Sequence, residues 1–154
     1  MTRPSPRGLL LGVALLALAA VVTALVSQHA YGIQPCPWCV LQRLIFVLVA
    51  LCALLGLAWR RIGAGLALAF AVGGVAAALW QHFVAAGSAA CNLTLADRLV
   101  AATGLDRVLP QVFAAYASCA EARVNLLGVP YEFYSLVLFA LLCTALAAAL
   151  SKRG

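Results

Sequence analysis

The chain has 154 residues, 66% of them hydrophobic and 9% charged, with a mean hydropathy of +1.09. Soluble domains carry about 45–50% apolar residues even with glycine counted, and about 25% charged ones, so a water-soluble globular fold and a disordered chain are both excluded. The composition is that of a membrane protein with room for about four spans of roughly 20 residues each, which leaves function to the spans and to short loops.

In chain order, the basic segment Met1-Thr2-Arg3-Pro4-Ser5-Pro6-Arg7 precedes a first apolar stretch at 9–29. This resembles a signal peptide, but the apolar run exceeds the usual length of about 7–15 residues and Gln28-His29-Ala30 offers no small residue at the −3 position, so an uncleaved first span is expected. Further spans are expected at 40–59, 62–83 and 131–150, with Glu132 as their only acidic residue. The second and third are separated only by Arg60-Arg61 and must form a helical hairpin. Between the others lie a short loop at 30–39 and a long one at 84–130, whose run from Leu105 to Phe113 mixes apolar and charged residues as a segment lying on the bilayer surface would. The expected architecture is one membrane domain over 1–154, an all-α bundle of four transmembrane helices.

Charge sets its orientation. With an even number of spans, both termini share a side with Arg60-Arg61, and that side holds Arg3, Arg7, Lys152 and Arg153 as well, without a carboxylate. The opposite side balances Arg43, Arg98, Arg107 and Arg123 against Asp97, Asp106, Glu121 and Glu132, so the whole net charge of +6 lies on one face. The positive-inside rule makes that face, and both termini, cytoplasmic. The basic pI of 9.3 is thereby a topology signal and requires no nucleic-acid partner. Trp38, Trp59 and Trp80 fall near span ends, where amphipathic aromatics anchor to the interface. Gly8 with Gly12, and Gly73-Gly74, suit close helix packing. The sequon Asn92-Leu93-Thr94 is common by chance and carries no weight.

The six cysteines sort by depth. Cys52 lies roughly 20 Å down the second helix from Cys39, and Cys143 is also deep in its span, so both read as small buried apolar side chains. Cys36, Cys39, Cys91 and Cys119 all fall on the extracytoplasmic face. Cys36-Pro37-Trp38-Cys39 is a C-x-x-C where the second span begins, and a helix N-terminus favours thiolate over thiol, which makes a redox cysteine. A c-type haem site would need His where Val40 stands. A zinc site could draw on the four cysteines, although the long loop lacks a second close pair, and a structural disulfide framework also suits an oxidising compartment.

The run Pro35-Cys36-Pro37-Trp38-Cys39-Val40-Leu41-Gln42-Arg43, the second pair Cys91 and Cys119, the segment Val112-Phe113-Ala114-Ala115-Tyr116-Ala117-Ser118-Cys119-Ala120-Glu121 and the four spans together resemble the disulfide bond formation protein B (DsbB) family over nearly the whole chain. The resemblance implies a bacterial inner-membrane thiol:quinone oxidoreductase that reoxidises a periplasmic, DsbA-like thioredoxin-fold protein. It implies that Cys91 and Cys119 form a disulfide attacked at Cys91 by the reduced partner, that Cys36 then exchanges with Cys119, and that Cys39 faces a respiratory quinone, ubiquinone in preference to menaquinone. Glutathione pools lie too low in potential to restore such a partner, and the chain has no flavin or nicotinamide motif.

Arg43, one turn past Cys39, is either a snorkelling interfacial charge or, as the resemblance implies, a donor to the quinone that also favours the Cys39 thiolate. His82 shares that layer and could donate to the quinone, Gln42 is a further candidate lining residue, and His29 reads as interfacial. Two competing readings are a non-enzymatic bundle with structural loop disulfides and an enzyme of the vitamin K epoxide reductase type. The early position of the C-x-x-C speaks against the latter.

Overall fold

The computed structural model describes residues 5–85, 94–122, 125–126 and 128–151. Four long helices carry the architecture: α1 (Pro6–Tyr31), α2 (Pro37–Leu55), α3 (Arg60–Phe83) and, after three shorter helices and a ribbon, α7 (Tyr131–Ser151). Each of the four is long and apolar enough to cross a membrane. The shorter elements are α4 (Leu95–Thr103), α5 (Leu105–Val108), α6 (Pro110–Phe113) and the two-residue strands β1 (Asn125–Leu126) and β2 (Val129–Pro130), which pair antiparallel.

Local chemistry sets the helix ends. Ser5 caps α1 by accepting the Gly8 N–H at 3.1 Å, Pro6 occupies the first turn, and Gly32, at φ 67°, ends the helix in the left-handed conformation that only glycine adopts without strain. Cys36 caps α2 with Pro37 in its first turn, so the helix starts three residues before the apolar stretch at 40–59 and ends four before its end. The hairpin between α2 and α3 closes tightly because glycine stands on both sides: a Cβ on Gly63 would collide with the backbone of Gly56. Thr94 and Asp97 form a reciprocal capping box at the start of α4.

The long helices pack in the cyclic order α1, α2, α3, α7, with α7 returning to α1. Among them α2 is the most enclosed. Leu10 and Ala17 of α1, Val49 of α2, Ala67 and Ala71 of α3 and Phe139 and Leu142 of α7 are fully buried. Phe46 of α2 stacks on Phe139 with ring centroids 4.0 Å apart and planes within 5°. Gly74 of α3 makes room for that ring, since a Cβ there would overlap it. Leu15, Val22, Leu51, Leu66, Val72, Val137 and Leu141 point outward, as a lipid-facing surface requires.

Two sequence expectations change. Trp38 does not sit outward as an interface anchor; it is buried against Trp80, 6.3 Å between centroids, because the α2 N-terminus is covered by loop residues. The long loop is also more than a surface segment: α4 packs on α2 and buries Ala96 and Val100, leaving Leu95 and Leu99 exposed. Gly12 is outward on α1, and a Cβ there would meet nothing within 4 Å among the described residues.

Candidate functional site

Cross-links between helix ends gather one end of the bundle into a polar layer. Its centre is Cys36, whose extended backbone (φ −84°, ψ 166°) lets the sulfur accept the Cys39 N–H at 3.3 Å. The two sulfurs stand 2.7 Å apart, so a small movement separates them from a disulfide bond of about 2.05 Å. Cys36 is fully buried and also hydrogen-bonds the Cys119 thiol. Three thiols, Cys39, Cys36 and Cys119, are therefore connected through Cys36.

The loop reaches this point by its own chemistry. The N–H groups of Tyr116 and Ala117 donate to the Pro35 carbonyl at 3.0 and 3.3 Å, which pins the strand leading to Cys119 beside the C-x-x-C. Ser118 and Glu121 then bracket Cys119 in a reciprocal turn: Glu121 Oε2 accepts the Ser118 N–H at 2.9 Å and its hydroxyl at 2.8 Å, while Ser118 Oγ accepts the Glu121 N–H at 3.3 Å. These donors hold the Glu121 carboxyl below the usual range. Hydrogen bonding from Cys36, helped by the Trp38 N–H, lowers the Cys119 pKa, whereas Cys36 is raised by its hydrogen bonds to Cys119 and Cys39 and by burial. Negative charge is thus favoured on Cys119 and disfavoured on Cys36.

On the other side, Cys39 meets Gln81, one of a set of buried polar side chains in the bundle. Gln81 Nε2 donates to the Cys39 sulfur at 3.4 Å, and Gln42 Nε2 donates to Gln81 Oε1 at 2.7 Å. Arg43 lies a turn further along α2 and is buried. Its Nη1 donates to Gln28 Oε1 at 2.6 Å and the Val112 carbonyl at 3.2 Å, and its Nη2 to the Ala24 carbonyl at 3.2 Å. Gln28 in turn donates to the Gln111 carbonyl at 3.4 Å. Cys39, Gln42, Arg43 and Gln81, with Phe46, line a cavity of about 300 Å³ bounded by Ala20 and Ala24 of α1 and Tyr131, Glu132 and Leu138 of α7. A larger groove of about 1130 Å³ runs along α2 and α3 past Trp38, Leu41, Phe70 and Trp80 and reaches Cys119 from the opposite side.

Of the residues singled out in the sequence, Cys36, Cys39, Cys119, Gln42 and Arg43 come together. His82 lies one residue past Gln81, with Nδ1 3.0 Å from Glu132 Oε1 and its ring against Phe133; it borders neither cavity, although its partner Glu132 does. Cys91, and Asn92 and Leu93 of the sequon, lie outside the described residues. Cys52 and Cys143 are half-buried in the spans and take no part in the layer. Among the described residues, no group of three or more His, Cys, Asp or Glu side chains is arranged to hold a metal. Sequence reading missed Gln28, Gln81 and Glu132. Their signal was present, since a polar side chain inside an apolar span is costly unless it has a partner or a role.

A four-span membrane bundle with linked thiols at one end of its helices defines a membrane-embedded thiol–disulfide oxidoreductase. Comparison with known proteins agrees: residues 6–149 match the family model described as disulfide bond formation protein DsbB. The chain is 33% identical to disulfide bond formation protein B of Ralstonia nicotianae over 96% of its length and 95% of the relative's. It is 32% identical to disulfide bond formation protein B 1 of Pseudomonas aeruginosa, covering 90% of this chain and 91% of that one, and 31% identical to the Aromatoleum aromaticum protein of the B name, covering 97% and 96%. The chain belongs to the DsbB family of disulfide bond formation proteins.

Proposed function

We propose that this protein is a quinone-dependent dithiol oxidase of the bacterial inner membrane, one membrane domain with cytoplasmic termini and with loops 30–39 and 84–130 in the periplasm. It reoxidises a DsbA-like thioredoxin-fold protein. The observation that carries the reading is that Cys36 contacts both the loop thiol of Cys119 and Cys39, and that Cys39 lines a cavity together with Arg43.

A thiolate of the reduced partner attacks the Cys91–Cys119 disulfide at Cys91, forming a mixed disulfide and releasing Cys119 as thiolate. The partner's second thiol resolves that bond, so the partner leaves oxidised and two thiols remain on the loop. The Cys119 thiolate attacks Cys36, which breaks the Cys36–Cys39 bond and leaves the charge on Cys39. Cys91 then displaces Cys36 from Cys119, which restores the loop disulfide and leaves Cys36 and Cys39 reduced. The low thiol pKa of Cys119 and the raised one of Cys36 suit these roles of attacker and attacked centre.

The cavity bordered by Cys39 fits a quinone ring. Phe46 and Leu138 supply apolar walls, Gln42, Arg43 and Tyr131 supply polar groups, and the volume lies at the lower end of small-molecule sites. When bound, the quinone, ubiquinone in preference to menaquinone, accepts two electrons and two protons. Cys39 would supply the electrons that the bound quinone takes up, Arg43 would hold the ring and favour the neighbouring thiolate, and Gln42 would help to hold it. His82 pairs with Glu132, which lines the α7 side of the cavity.

The test is quinone absorbance on mixing the purified protein with a reduced DsbA-like protein. The reading predicts loss of the oxidised quinone band with the intact chain and none with Cys39→Ser or Cys91→Ser.

A further inference from the structure

The Cys39 sulfur has a neighbour that the relay above does not use. We propose that Gln81 is a catalytic residue, whose side-chain amide donates to the Cys39 sulfur and holds the negative charge of the opened pair on Cys39; the proposal rests on the relay reading above.

The geometry is specific. Gln81 Nε2 lies 3.4 Å from the sulfur, and Gln42 Nε2 lies 2.7 Å from Gln81 Oε1. Because the Gln42 amide nitrogen can only donate, it fixes the Gln81 oxygen as acceptor and turns the Gln81 NH₂ toward Cys39. Both glutamines are buried, at 4% and 8% exposure, where a donor or acceptor left without a partner is costly. A glutamine pair between α2 and α3 would by itself be ordinary interhelical glue. This pair instead ends on a sulfur that changes charge in the reaction, and a hydrogen bond to an ionised acceptor is about twice as strong as a neutral one.

The step it serves balances. As the Cys119 thiolate attacks Cys36, a Cys36–Cys119 bond forms, the Cys36–Cys39 bond breaks, and its electron pair leaves with Cys39, onto which the Gln81 N–H is aimed. The other titratable or charged groups facing Cys39 are Cys36, which caps its helix, Arg43 on that helix and Cys119 from the loop, with Tyr131 and Glu132 of α7 lining the same cavity. Gln81 is the neutral donor among them and works at any pH. Gln42 acts through Gln81 and is a positioning residue.

The test uses the full chain, reduced and free of quinone, and follows alkylation of Cys39 by iodoacetamide with peptide mass spectrometry from about pH 5 to about pH 9. Gln81→Met, which keeps the bulk and removes the donor, should slow Cys39 alkylation at neutral pH by about tenfold and move the profile to higher pH, while Cys119 is little changed. Gln42→Met should produce a smaller shift in the same direction. An unchanged Cys39 profile in a folded Gln81→Met protein overturns the proposal. If that variant does not fold, an unchanged profile in Gln42→Met overturns it instead. Because no quinone is present, this result is independent of the absorbance assay: a shifted profile in a chain that never reduces quinone would sink the relay and leave the amide's effect on Cys39 standing.

Discussion

Arg43 binds two elements at once: Gln28 and Ala24 of α1 and the Val112 carbonyl of α6. Arg43→Met would leave the Gln28 oxygen and the Val112 carbonyl short of a donor, at about 1–3 kcal/mol for each buried group left unpaired. The expected outcome is a lower unfolding midpoint and faster amide exchange at 110–113, with partial recovery in Arg43→Lys, which restores the charge without the fork. Unchanged exchange there would show that the guanidinium does not hold the loop down. The thiols give a second prediction. In the reduced protein near neutral pH, Cys119 should be alkylated before Cys36, because a lowered pKa means more thiolate at a given pH and a raised one means less. Faster labelling of Cys36 would contradict the assignment of attacker and attacked centre. Glu121 adds a pH dependence: its folded pKa is depressed, so its hold on the Ser118 turn is fully present above the unfolded carboxyl value of about 4.3 and is lost as pH falls through the folded one. Amide exchange of Glu121, whose N–H bonds to Ser118, should accelerate over that acid window, and Glu121→Gln should remove the dependence.

Helix ends and helix contacts divide what could be read from what could not. The C-x-x-C with Pro37 inside it predicted that Cys36 would stand at a helix start, because capping and proline placement are local chemistry. The direction in which Trp38 faces was not legible, since an aromatic at a span end can turn to lipid headgroups or inward, and only the packing of Trp80 and the loop decides. The glycines behave likewise: Gly12 and Gly74 look alike in an apolar stretch, yet one meets nothing and the other carries the Phe139 ring. Gly74→Leu should destabilise the bundle by about 1–3 kcal/mol or more through overpacking, whereas Gly12→Ala should be close to neutral or slightly stabilising. Detergent unfolding would separate the two. Thr94→Ala removes the α4 capping box and should cost about 1 kcal/mol, read as faster exchange at 95–98 with the long helices unaffected.

Across the bundle as a whole, composition and hydropathy were enough for four helices, because each span must satisfy its own backbone in lipid and so announces itself by length. The candidate site was half legible. Spacing marked the C-x-x-C and the depth of each cysteine, but Cys119 lies far along the chain from Cys36, and no local pattern encodes a Pro35 carbonyl waiting for the Tyr116 N–H. Gln28 and Gln81 stood out as polar residues in apolar spans, but their partners were not legible, because those lie on other helices. The placement of all net charge on one face predicts that reporter fusions at either terminus and at Arg60-Arg61 report cytoplasm, and that one placed within 84–130 reports periplasm. The central claim is that thiols in contact pass electrons from a soluble dithiol to a quinone. Its most direct test is stopped-flow quinone absorbance with a reduced DsbA-like protein, using the intact chain beside Cys39→Ser and Cys91→Ser. Stoichiometric quinone loss is expected with the intact chain and none in either variant. No loss with the intact chain, under conditions where quinone is shown to bind, would contradict it and leave the loop cysteines with a structural role.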